Sequence, residues 1–388
     1  MQIYVVKTDD NIDDIALRYN VPVESIIYNN QLVYPYALVV GQALLLNGTD
    51  SDNEDGEIVS IEAAKSLVEV NGYAYPYIRT EVLEQTLPYL TEVSVFSYGF
   101  TKEGELIEPE MSDALLLETA VNFQTKPILT LTPLGEDGMF DNNLIHDIVT
   151  DSVAQDILIE NLLQTVRQKQ FEGVNLDFEY ILAQDRVPYA EFVAKVRDAM
   201  SAEGYSTSVA LAPKTSDEQK GVLYEGMDYA LLGEAADKVL LMTYEWGYTY
   251  GPPMAVAPVN KVEEVVQYAL TRIPAEKINM GIPNYGYDWA LPYESGVTRA
   301  RTLGNVGAVR LAIDKQAEIM FDQTAMSPYF HYEEDGIKHE VWFEDVRSMQ
   351  AKFELVQKYK LRGMGYWQIM RLFRANWLLL ADNFWIDK

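Results

Sequence analysis

From Glu57 onward, short β-type runs alternate with longer segments in which apolar residues recur every three or four positions. The runs predict strands over 70–75, 92–100, 127–134, 173–179, 207–212, 238–245, 278–285 and 362–367. Helical patterns lie between them, the clearest over 152–168, 189–202 and 262–271. Strands that alternate with helices pair in parallel, because each crossover helix returns the chain to the same end of the sheet. Eight such units favour closure over an open doubly wound sheet, so the expected fold class is α/β, a (β/α)8 or TIM barrel. The rhythm breaks between Trp289 and Val346. A small insertion before the last strand, about 291–345, accounts for the gap.

A separate pattern precedes the barrel. Tyr4 and Val6 alternate as in a strand, and Asp10 or Asn11 can cap a helix bearing Ile12, Ile15, Ala16 and Tyr19 on one face. A second short helix from Val23 to Tyr28 and an apolar strand from Ala43 to Leu46 complete a βααβ unit over 1–47. Residues 47–56 contain no apolar side chain, which predicts a linker over 48–57 and a second, larger unit over 58–388.

Composition narrows the function classes. With 59 acidic against 30 basic side chains, the net charge of −29 repels phosphate backbones and anionic lipid, so no nucleic-acid partner is expected. The chain has no cysteine and three histidines, His146, His331 and His339, in no ligand-like spacing. Neither a metal nor a cofactor is expected. The start, MQIYVVKTDDNIDDI, lacks a basic region followed by a long apolar one, so no signal peptide and no membrane insertion are expected. Twenty-six tyrosines supply flat rings suited to stacking on sugars.

The chemistry concentrates in FEGVNLDFEY, where Asp177 and Glu179 are two residues apart at the end of the fourth strand. Period-two alternation turns both carboxylates to one side, and in a barrel that strand end is the mouth. Val174, Leu176 and Phe178 then pack under the helices, and the acids face inward. Two close carboxylates cannot both ionise freely, so one becomes a candidate general acid. The seventh run adds Asn284, Tyr285, Tyr287, Asp288 and Trp289 near the same mouth, as sugar contacts or as packing. Trp246, Tyr248 and Tyr250 sit in a Gly/Pro-rich loop that suits glycan stacking.

The run Glu172, Gly173, Asn175, Asp177, Glu179 resembles the D-G-x-D-x-D-x-E motif of glycoside hydrolase family 18. That resemblance implies Glu179 as the general acid/base and Asp177 as the group that orients the substrate's 2-acetamido arm. Tyr244, in a Met242-x-Tyr244 element, would stabilise an oxazolinium intermediate formed by that arm. Asn175, Glu245, Trp246, Tyr285 and Trp367 would line the substrate site, with Trp367 flooring the sugar ring. The motif departs from the family at Glu172 and Asn175, and Glu245 stands where the family usually has Asp. An Asn at 175 removes one charge from the cluster and changes how protons move around Asp177.

The N-terminal unit resembles a LysM module through Tyr4, Val6, Asp10, Ile12, Ile15, Ala16, Asn30, Leu32, Gly41, Gln42 and Leu44. LysM modules bind N-acetylglucosamine chains, which implies glycan contacts at Asp9, Asp10, Asn11, Ile12 and Leu32. The two resemblances together are similar to spore cortex-lytic N-acetylglucosaminidases. They imply an enzyme that cleaves β-linked N-acetylglucosamine in peptidoglycan or another such polymer, at the cell wall or the spore surface or cortex. A chitinase and a lectin-like coat or wall protein are the alternatives.

Overall fold

The computed structural model describes residues 1–47, 65–135 and 138–388. The stretch read as a linker, 48–57, lies outside the described residues. In the N-terminal unit, strand β1 (Gln2–Val5) pairs antiparallel with β2 (Ala43–Leu46), and helices α1 (Ile12–Arg18) and α2 (Val23–Asn29) lie between them in sequence. Asn11, rather than Asp10, caps α1: its side chain accepts from the Asp14 N–H at 2.9 Å. Ile15, Ile26, Leu44 and Leu46 are fully buried in a core of its own.

Next come β3 (Ser66–Ala74), α3 (Thr80–Thr86), β4 (Glu92–Phe100), a short β5 (Leu106–Ile107), α4 (Ala114–Asn122) and β6 (Lys126–Leu131). Helices α5 (Asn143–Thr150) and α6 (Ser152–Lys169) lead to β7 (Gly173–Leu176). Beyond it lie α7 (Arg186–Ser201), β8 (Ser206–Leu211), α8 (Tyr229–Ala235), β9 (Lys238–Leu241), α9 (Val259–Leu270) and β10 (Ile278–Pro283). The insertion holds β11 (Gly286–Leu291), β12 (Arg301–Leu303), α10 (Asn305–Asp314), β13 (Met320–Asp322), β14 (Ser327–Glu334) and β15 (Ile337–Trp342). Helix α11 (Val346–Tyr359), β16 (Gly363–Trp367), α12 (Arg374–Asn383) and β17 (Phe384–Ile386) end the chain.

The parallel strands run β3-β4-β6-β7-β8-β9-β10-β16, and β16 pairs back to β3, closing an eight-stranded barrel. The expected (β/α)8 architecture is the one observed. Helix boundaries follow local chemistry. The Asp151 side chain accepts from the Val153 and Ala154 N–H groups at the start of α6, and Gln170 in a left-handed conformation ends it. Asp345 and Ser348 form a capping box on α11. The insertion folds as a five-stranded antiparallel sheet whose first strand starts at Gly286, a few residues before the predicted break. The N-terminal floor of the barrel is ionic: Lys238 Nζ lies 2.8 Å from Glu69 and 2.6 Å from Glu92, all three buried, with Arg362 and Asn279 also on Glu69.

Candidate active site

Strand β7 stops at Leu176, so Asp177 and Glu179 sit just past the strand end at the C-terminal mouth. Val174, Leu176 and Phe178 are fully buried, as the alternation requires. Phe178 stacks on Tyr189, Phe192 and Phe100, a contact that pins the backbone between the two acids. Asn175 points into the barrel. Its register neighbour on β8 is Ser208, to which it donates at 2.9 Å, and it accepts from the Tyr73 hydroxyl at 3.0 Å.

Asp177 is buried and makes no side-chain hydrogen bond among the described residues, and its Oδ1 is a buried acceptor without a partner. Burial, followed by the charge of Glu179, pushes its pKa up to about 8. Glu179 is also raised, by burial and then by the charge of Glu245. Three carboxylates therefore share one cleft, and their mutual repulsion and burial favour the protonated form of Asp177. The Tyr244 phenol is held well above its usual range by burial, so it remains a neutral donor. Gly281 makes room for that ring, since a Cβ there would lie 2.8 Å from Tyr244.

Glu245 has a left-handed backbone at φ 68°, a sparsely populated conformation for a residue with a side chain. Its carboxylate accepts from the Tyr285 hydroxyl and from the Tyr287 hydroxyl at 3.0 Å. Tyr285 is thus buried as a clamp on Glu245 rather than open to the cleft. Trp367 is half-buried, its ring centroid 4.9 Å from Phe96 and 5.6 Å from Tyr73. Two cavities, of about 370 and 320 Å³, both reach Glu179. Tyr224, Tyr244, Glu245 and Trp246 line the first, and Phe140, Asn142, Asp177 and Tyr180 the second.

Several residues that the sequence placed near the mouth go elsewhere. Asp288 turns into the insertion, where Arg301, Tyr332 and His339 each approach it at 2.8 Å. Trp289 is fully buried with its indole N–H on the Gly251 carbonyl at 2.8 Å. In the N-terminal unit Asp9 and Asn11 are exposed, Ile12 is core, and Leu32 lies on a different turn. The Asp10 carboxylate accepts from the Tyr4 hydroxyl at 2.5 Å and the Lys7 N–H at 2.7 Å, and the hydrogen bond from Tyr4 holds its pKa low. Asp10 therefore braces its own turn. The sequence reading missed Tyr73, Phe96 and Tyr75, although Tyr73 and Tyr75 end the first strand at the same two-residue spacing that marked the acids. Among the described residues no group of three or more His, Cys, Asp or Glu is placed to hold a metal, and no helix is long and apolar enough to cross a membrane.

A closed parallel barrel with a buried acid pair at its mouth, beside the packed rings of Tyr73, Phe96 and Trp367, is the arrangement of a glycoside hydrolase. Residues 129–371 match glycosyl hydrolases family 18, and the chain belongs to that family. Residues 4–47 match the LysM domain. A cortical fragment-lytic enzyme of Bacillus subtilis is 37% identical over 430 aligned residues, covering 100% of this chain and 99% of that protein. The crystal structure of the Bacillus cereus spore cortex-lytic enzyme SleL superimposes with a TM-score of 0.93 at 34% identity, covering 100% of this chain and 98% of that one. A chitinase from Chromobacterium violaceum is more distant, with a TM-score of 0.74 at 25% identity over 81% of this chain and 98% of its own.

Proposed function

We propose that this chain hydrolyses β-linked N-acetylglucosamine in peptidoglycan, the spore cortex above all, by a retaining mechanism in which the substrate supplies the nucleophile. The observation that carries the reading is the distribution of the three acids. Glu245 is tied down by two tyrosine hydroxyls. Asp177 is buried, and burial and the charge of Glu179 push its pKa up to about 8, favouring its protonated form. Glu179 makes no side-chain hydrogen bond among the described residues and is reached from both cavities. That leaves one acid free to protonate a glycosidic oxygen and no free carboxylate to attack the anomeric carbon.

In this scheme Glu179 gives its proton to the leaving oxygen as the C1–O bond breaks, and the acetamido carbonyl oxygen closes onto C1. The unpartnered Asp177 Oδ1 accepts the acetamido N–H and turns the arm toward C1. Tyr244 donates to the acetamido oxygen as charge develops there. Water, deprotonated by the Glu179 carboxylate, then opens the oxazolinium and restores the acid. The full-length likeness to enzymes named for cortex lysis supports spore cortex as the polymer, and a site at the cell wall or spore.

The test is mass spectrometry of fragments released from spore cortex, vegetative peptidoglycan and, separately, chitin oligomers by the wild type and by Glu179→Gln. New N-acetylglucosamine reducing ends from cortex, lost in the variant, are expected. Cleavage of chitin alone would move the substrate to chitin, and no cleavage of any polymer with retained binding would make the protein a lectin.

A further inference from the structure

The insertion sheet reaches the cleft through one strand, β11. The strand enters the sheet at Gly286, where a Cβ would lie 2.3 Å from the Trp342 carbonyl oxygen, so only glycine lets it approach β15 this closely. Tyr287 follows, in register with Thr302 of β12 on one side and Trp342 of β15 on the other. Successive side chains then take opposite faces. On one face the buried Asp288 is held inside the insertion by Arg301, Tyr332 and His339. On the other, Tyr285, Tyr287 and Trp289 stand in a row, each ring centroid 5.6 Å from the next.

That row meets the loop after β9. Tyr285 and Tyr287 donate to the Glu245 carboxylate, and the Trp289 indole N–H donates to the Gly251 carbonyl at 2.8 Å. The Ala300 N–H adds a bond to the Thr249 carbonyl and the Tyr293 hydroxyl one to the Tyr250 carbonyl, both at 2.8 Å. The Tyr287 hydroxyl lies 3.0 and 3.2 Å from the two Glu245 oxygens, which fixes the rotation of the carboxylate. Tyr287 is buried and lines neither of the two cavities at Glu179, so it works through Glu245 and not on the sugar.

We propose that Tyr287 is a positioning residue for hydrolysis: carried by the insertion sheet, its hydroxyl fixes the Glu245 carboxylate beside Glu179 and makes the insertion part of the catalytic apparatus. The inference rests on the assignment of Glu179 as the acid. Desolvation in the cleft raises the Glu245 pKa, and the hydroxyls of Tyr285 and Tyr287 oppose that rise, since donors to a carboxylate favour its ionised form. After burial, the charge of Glu245 is what raises the pKa of Glu179. The other titratable groups around Glu245 are its chain neighbour Tyr244, and Lys261 and Glu264, which line the same cavity and pair with each other at 3.0 Å. A hydroxyl on the insertion thus bears on the proton of the acid through one intervening carboxylate.

The experiment is a double-mutant cycle on the full chain: wild type, Tyr287→Phe, Glu245→Gln and the two together, with kcat and KM followed against pH on whichever of cortex fragments or chitin oligomers the wild type cuts. Phenylalanine keeps the ring packing and removes only the donor. Tyr287→Phe should lower kcat roughly tenfold, the worth of one hydrogen bond to a charged group, with KM changed less than about twofold. The acidic limb of its kcat/KM profile should move to higher pH, because a Glu245 that has lost a donor takes up its proton more readily. Once Glu245 is glutamine, Tyr287→Phe should change kcat less than about twofold and leave the profile unmoved. Equal losses in both backgrounds, or an acidic limb that stays in place, overturn the inference, since a purely structural tyrosine would act without regard to Glu245. Glu179→Gln is assayed alongside: full activity there overturns the acid assignment, whereas the coupling of Tyr287 to Glu245 is read from the other four proteins.

Discussion

Asp177→Asn should cost activity and yet raise stability, by an amount set by pH. The folded protein keeps the Asp177 proton to about pH 8, whereas the unfolded chain releases it near the ordinary value of 3.8. Between those values the folded state binds more protons, so rising pH favours the unfolded chain. Below about pH 4 both states are protonated and the penalty vanishes. At pH 7 the gap amounts to about 1.36 kcal/mol for each of roughly three pH units, or about 4 kcal/mol. Asparagine has nearly the same shape and no proton to release, and position 177 has no side-chain hydrogen bond among the described residues to lose. At about 2.1 cal/mol/K per residue, a chain of this length unfolds with roughly 0.8 kcal/mol/K of entropy, so Tm should rise by about 5 °C. At pH 4 the remaining difference is about 0.5 kcal/mol, a rise under about 1 °C. Differential scanning calorimetry of both proteins at pH 4, 5.5 and 7 measures this. A Tm difference independent of pH, or a loss of stability at pH 7, would refute the argument that desolvation of Asp177 is a cost borne for catalysis.

Tyr244→Phe, which removes one donor aimed at the developing charge, should lower kcat on the order of 10²- to 10³-fold with KM changed only a few-fold in steady-state assays on soluble oligomers. Glu245→Gln removes the charge that helps keep Glu179 protonated. The alkaline limb of its kcat/KM profile should therefore move to lower pH, and an unmoved limb would break the assigned coupling. Lys238→Met strands Glu69 and Glu92 in the barrel floor and should destabilise by about 3–5 kcal/mol, about 4–6 °C in Tm, with recovery when both glutamates become glutamine.

The sequence by itself determined the elements and the acid pair. Strand and helix periodicities are local, and eight alternations leave few ways to bury the apolar faces except a closed barrel. The same period of two placed Asp177 and Glu179 on one side of a strand end, and short-range patterning gave the βααβ unit. What only the tertiary structure decided are the partners of those groups. Tyr73 reaches Asn175 across 102 residues of sequence, and Glu245 meets Tyr285 and Tyr287 across about 40. Asp288, two residues past Gly286 where the insertion sheet starts, was captured by Arg301, Tyr332 and His339 instead of the cleft. Asn29 and Glu344, more than 300 positions apart in sequence, line one cavity between the N-terminal unit and the barrel. Periodicity fixes which face of an element is buried. Which side chains then meet, and whether they shift one another's proton affinity, depends on distances that exist only once the barrel has closed.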